Sequence, residues 1–183
     1  IKQLGSGNLK LSYSDLDINE VSQLDMVSKS SELNVDVVNV LKVQSRRDKL
    51  FFKEVEFIYG TTNFSRIWIY DFLRESDIHM KYGELTMEHV MPGFSKIFVE
   101  SDYTDITLYL DREASVALDI FRHEKSILRL PGPEVLSEDG PSGKDHFKTV
   151  GTLGPEGKDP DAESAGQLKI DALQKCFINI SYK

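Results

Sequence analysis

Apolar residues recur along this chain in apolar-polar-apolar triplets: Leu16-Asp17-Ile18, Leu33-Asn34-Val35, Leu50-Phe51-Phe52, Ile67-Trp68-Ile69, Leu85-Thr86-Met87 and Ile106-Thr107-Leu108. Successive triplets start 17, 17, 17, 18 and 21 residues apart. A second column runs ahead of them at Leu9/Leu11, Leu24/Met26, Leu41/Val43, Ile78/Met80 and Ile97/Val99, and a third trails them at Val21, Val38, Val55, Phe72 and Val90. Only the coil holding Phe57, Ile58 and Tyr59 resists a clean register.

Alternation within a triplet puts two side chains on one face and the middle one on the other, which is the period of a strand. Three short strands per repeat, joined by bends, describe one turn of a parallel β-solenoid. Successive turns stack about 4.8 Å apart, so equivalent residues form ladders and each coil satisfies its neighbours' backbone groups. The twist preference of strands favours a right-handed coil. The rival all-β fold, a sandwich of antiparallel hairpins, needs turn signals every 8 to 12 residues or so, with Asn-Gly or Asp-Gly between strands. Such turns are nearly absent before residue 130, and the first proline is Pro92, as central strands require.

The ladder loosens after Leu108, with one further coil over Val116, Leu118, Ile120, Leu128 and Leu130. Regular coils thus cover residues 8–130. From Pro131 to Gly166 the composition turns to Pro, Gly, Asp, Glu, Ser and Lys, marking an excursion from the stack. Leu168-Lys169-Ile170 and Phe177-Ile178-Asn179-Ile180 then recover the pattern, so residues 167–183 are expected to close a single domain spanning 1–183.

At 183 residues, 40% hydrophobic and 28% charged, the chain can bury a continuous core without staples. A net charge of −8 opposes binding to nucleic acid or to an anionic lipid surface. No stretch approaches the roughly 18 apolar residues of a membrane-spanning helix, so no membrane insertion is expected. The one cysteine, Cys176, lies beside Phe177 and Ile178 and reads as a small buried thiol. The opening IKQLGSG, starting at Ile1, fits a chain from which an export leader has been removed.

The motif Tyr13-Ser14-Asp15-Leu16-Asp17-Ile18, echoed in Tyr82-Gly83-Glu84-Leu85-Thr86-Met87 and Tyr103-Thr104-Asp105-Ile106-Thr107-Leu108, resembles the coils of bacterial adhesin-type β-helix families. Arg47 and Phe64 replace the tyrosine in the middle coils. The resemblance implies an exported domain, periplasmic or at the cell surface, and supplies no catalytic residues to transfer.

The middle residues of the triplets point outward. Phe51 and Trp68 belong to that column, and Tyr70 and Tyr109 to the next, so Phe51, Trp68, Tyr70 and Tyr109 are the candidate binding residues. Large rings projecting into water imply a cover: a ligand, the 131–166 excursion, or the mate in a homo-oligomer. A second column, Asp15, Glu32, Glu84 and Asp105, has the acidity of a calcium or glycosidase site, but Lys49 and Arg66 interrupt it and account for it as charge balance. His79, His89, His123 and His146 lack ligand spacing, so neither metal nor cofactor is expected.

These features point to a non-enzymatic recognition or adhesion module that presents a rigid sheet face to a glycan or a surface protein. The alternatives are a polysaccharide lyase or glycoside hydrolase of β-helix type, for which coils of 17 or 18 residues spare no length for cleft-forming loops, and a structural assembly subunit.

Overall fold

The computed structural model describes residues 1–131, 138–141, 145–154 and 165–183. No helix occurs among the described residues. β1 (Gln3–Ser12) pairs in parallel with β2 (Asp15–Lys29), and β3 (Glu32–Arg46), β4 (Lys49–Asn63) and β5 (Arg66–Lys81) follow in parallel, one coil each. The fold is the all-β parallel solenoid that the repeat implies.

Register runs Leu16, Leu33, Leu50, Ile67, Leu85 and Ile106 into one row, so each sequence triplet is a rung of a single ladder. Ile18, Val35, Phe52, Ile69, Met87 and Leu108 form a parallel row, and Val21, Val38, Val55, Phe72 and Val90 another, all buried. Burying one such side chain contributes about 1.5–3 kcal/mol, so rows rather than single contacts hold the stack together.

The longer spacings have local causes. Between Val55 and Phe57 the register on β5 slips by one residue, which lengthens that coil. Further on, the coil is split into β6 (Glu84–Val90) and β7 (Lys96–Asp102), and the intervening Met91–Ser95 adds the extra residues before β8 (Asp105–Leu110). The coil that resists a sequence register has Ile58 in line with Leu41, but Gly60 in the inward row between Val43 and Ile78. A Cβ on Gly60 would strike the Val43 carbonyl, and its φ is 146°, so glycine is required there.

One corner of the first six coils uses a left-handed residue: Tyr13, Ser30, Arg47, Phe64, Tyr82 and Tyr103 have φ between 51° and 60°. The N–H groups of the first five still reach across to the next coil, as in Phe64 N–H to Lys81 O at 2.8 Å. The next residue turns inward, and at Ser14, Ser31, Ser65 and Thr104 its hydroxyl bonds the carbonyl two residues back. The corner therefore satisfies its own backbone without glycine.

The end of the stack departs from chain order. β9 (Val116–His123) and β10 (Ile127–Arg129) do not lie on β7 and β8. Instead β13 (Gly166–Ala172) lies between β7 and β9, and β14 (Phe177–Tyr182) between β8 and β10. The segment expected to close the stack is thus one rung inside it. Within the 131–166 stretch, β12 (His146–Leu153) pairs antiparallel with β9, and β11 (Glu138–Pro141) with β12, so these residues extend the sheet. An antiparallel strand here blunts the parallel edge of β9.

Candidate functional site

Outward alternation along β4 and β5 places Phe51 beside Trp68, with ring centroids 6.3 Å apart and planes tilted by 44°. Trp68 is 46% exposed and Tyr70 51% exposed, whereas Phe51 is half-buried. These rings line a shallow depression of 360 Å³ with Asn34, Asp36 and Lys53. Asn19 Nδ2 donates to Asp36 Oδ2 at 2.9 Å, and Asn34 Nδ2 to Asp17 Oδ1 at 2.8 Å, so both polar rim residues are held by the adjacent coil. Among the described residues Lys53 has no carboxylate partner. The depression thus combines apolar rings with a fixed carboxylate, a fixed amide and an ammonium group.

Tyr109 stands apart from the other three. It is on β8, half-buried, with Glu88 of β6 lying between it and Tyr70 in the coil order. Lys183 joins this end of the face: its Nζ lies 5.1 Å from the centroid of the Tyr70 ring and 3.2 Å from Glu88. One face of Tyr70 is therefore occupied by a cation. Nothing in the local pattern around Lys183 foretells this contact, because it depends on β14 lying beside β8.

A second aromatic row lies at the left-handed corner. Phe64 and Tyr82 stack at 4.9 Å with planes 8° apart, and Tyr82 and Tyr103 at 5.1 Å and 4°. Arg47 covers the free face of Phe64 at 5.9 Å. The sequence signal for this row was the tyrosine three residues before three of the triplets, at Tyr13, Tyr82 and Tyr103. Tyr82 has a ring on each face and Phe64 a ring on one and Arg47 on the other, so these two have little face left to stack on a sugar, and the row strengthens the corner.

On the same side of the stack as Tyr70, His89 bridges two coils. Its Nδ1 lies 3.1 Å from Asp71 Oδ1 and its Nε2 2.9 Å from Asp111 Oδ2. The bond to Asp111 raises the His89 pKa above its ordinary 6.5, with Asp71 adding to it and partial burial opposing it. The same bond, with the Glu113 N–H, lowers Asp111 below 3.8. Both ring nitrogens are engaged by carboxylates, which leaves the imidazole no nitrogen with which to take a proton from a substrate. The arrangement is a charged clamp.

The interrupted acidic column pairs as its charges suggest, with Lys49 3.4 Å from Glu32 and Arg66 3.4 Å from Glu84. Cys176 is buried, with Sγ 3.4 Å from Ser101 Oγ, and burial pushes its thiol pKa up. That thiol is a poor nucleophile. Among the described residues no group of three or more His, Cys, Asp or Glu is arranged to hold a metal ion. Comparisons with family models, curated proteins and solved structures yield no match to this chain.

Proposed function

We propose that this solenoid is a non-enzymatic, exported recognition module whose depression at Phe51, Trp68 and Tyr70 binds a saccharide. The observation that carries the reading is the exposure of Trp68, 46%, beside a rim of Asn34, Asp36 and Lys53. An indole face offers a large apolar surface with only two side-chain torsions to fix on binding. The apolar face of a pyranose ring stacks on it, and the rim groups donate to and accept from its hydroxyls. Their hydrogen bonds within the ladder hold Asn34 and Asp36 in place beforehand, which reduces the ordering cost of binding. Export and a place at the cell surface or in the periplasm belong to this reading, and rest on the resemblance of the coils to adhesin-type domains.

An oligosaccharide array probed with the labelled chain, followed by calorimetry on the hits, tests it. The reading expects binding that Trp68→Ala weakens at least tenfold while Phe64→Ala, at the corner row, leaves it unchanged. Equal binding by both variants would contradict it, and so would an array without hits.

A further inference from the structure

β8 leads straight into β9 through residues 111–115, yet the coil built from β9 and β10 does not rest on the coil built from β7 and β8. The C-terminal coil, β13 and β14, separates them. The two sides of this slot match each other. Leu168 pairs with Ile97 on one side and Leu118 on the other, and Ile170 pairs with Val99 and Ile120. Ile178 pairs with Ile106 and Leu128. Without the inserted coil, Ile97 would face Leu118, Val99 would face Ile120 and Ile106 would face Leu128, inward rows on inward rows with no slip in register.

We infer that the C-terminal coil is a removable insert, held in a slot that closes on itself when the coil leaves. A middle coil such as β3 is tied by the chain to the coils on both sides and cannot leave without taking its neighbours apart. The inserted coil, β13 and β14, is not the chain neighbour of β8, and it joins β10 only through the long stretch 130–165. Its departure breaks two coil interfaces, but docking of β9 and β10 on β7 and β8 restores one of them. Opening therefore costs one interface plus the exposure of Leu168, Ile170, Ala172, Ile178 and Ile180, less than global unfolding.

The hinge of this slot is residues 111–115. Asp111 is anchored there by His89 at 2.9 Å and accepts the Glu113 N–H at 2.8 Å. The insert is pinned at both ends to the hinge region: Gly166 N–H bonds Ser115 O at 2.9 Å, Arg112 Nε bonds Lys183 O at 3.1 Å, and Lys183 N–H bonds Leu110 O at 2.9 Å. The Arg112 contact is exposed, and all three lie at the ends of the insert, where a latch would sit.

Native-state hydrogen exchange on the full chain, read residue by residue, tests the inference. The amides of Leu168, Ile170, Ile178 and Ile180 should exchange as one cooperative unit at least tenfold faster than those of Val35, Val38, Phe52 and Ile69, although β13 and β14 are paired on both sides. A disulfide between Phe98→Cys and Lys169→Cys, partners in the β7–β13 register, in a Cys176→Ser background, should slow that unit to the rate of the middle coils. Exchange of β13 and β14 at the rate of β3 to β5 in the unmodified chain would overturn the inference, as would fast exchange that the disulfide leaves unchanged. If the disulfide variant does not fold, the unmodified chain alone decides.

Discussion

The Asp48 carboxylate accepts the backbone N–H of Ser31 at 2.7 Å, one coil away, from a position only 2% exposed. The same carboxylate accepts the Ser28 hydroxyl at 2.6 Å and the Arg46 N–H at 2.9 Å. Ser31 and Ser65 fill the equivalent corner on the adjacent coils, so Asp48 is a larger acceptor in a row of hydroxyls. Asp48→Ala leaves the Ser28 hydroxyl and the Ser31 N–H without partners in the core, at about 1–3 kcal/mol each when buried, and frees the part-buried Arg46 N–H as well. Urea denaturation should show a loss of about 3 kcal/mol or more, while Asp48→Ser, which restores one acceptor, should lose less.

The corner row sets two magnitudes against each other. A left-handed conformation costs a residue with a Cβ about 1–2 kcal/mol, and an aromatic pair returns about 0.5–1.5 kcal/mol beyond its area. Tyr82 stacks on both sides, against Phe64 and Tyr103, whereas Ser30 has the same left-handed φ and no ring. Tyr82→Gly should therefore destabilise the fold even though it relieves the backbone, and Ser30→Gly should be neutral or stabilise it by up to about 1 kcal/mol. Thermal melts of the two variants check the contrast.

Gly60 and Gly5 provide a matched pair. Gly60→Ala forces a Cβ onto the Val43 carbonyl at a positive φ, whereas a Cβ on Gly5 meets nothing within 4 Å. Chemical denaturation should find Gly60→Ala destabilising by more than about 2 kcal/mol and Gly5→Ala near neutral.

The His89 clamp makes stability depend on pH in two opposite ways. The folded His89 pKa is raised, so its contribution is complete below 6.5 and is lost as pH rises through the folded value. The folded Asp111 pKa is lowered, so its contribution is complete above 3.8 and is lost as pH falls through the folded value. The clamp holds best between these two limits. Denaturant midpoints measured from pH 4 to pH 9 should fall on the alkaline side, and His89→Gln should flatten that limb.

The triplet rows were legible in the sequence because a strand's period survives in three residues and repeats, and because these inward rows are apolar; the column ahead of them was misaligned by two residues, since the buried Ser76, and not Ile78, lies level with Ile97. The outward placement of Phe51, Trp68 and Tyr70 followed from the same alternation. Corners were harder to read, since Tyr13, Ser30, Arg47 and Phe64 take a left-handed φ where glycine or asparagine is the usual signal. Gly60 broke the pattern of its coil because backbone proximity, and not apolarity, governs that site. Coil order at the end of the stack was not legible: Leu168-Lys169-Ile170 shows that a segment belongs to the ladder, but every rung accepts the same pattern. The contact of Lys183 with Tyr70 depends on that order and was hidden with it.

Trp68 is the only tryptophan, so its fluorescence reports on the proposed site alone. The most direct measurement is its emission and its quenching by acrylamide over a dilution series, followed by titration with the oligosaccharides that the array selects. A red-shifted, quenchable signal at every concentration, protected when saccharide is added, is the result this account predicts. A signal already blue-shifted and protected at high dilution, or one protected only as the concentration rises, would mean that the chain itself or a second copy covers Trp68, and would contradict the proposal.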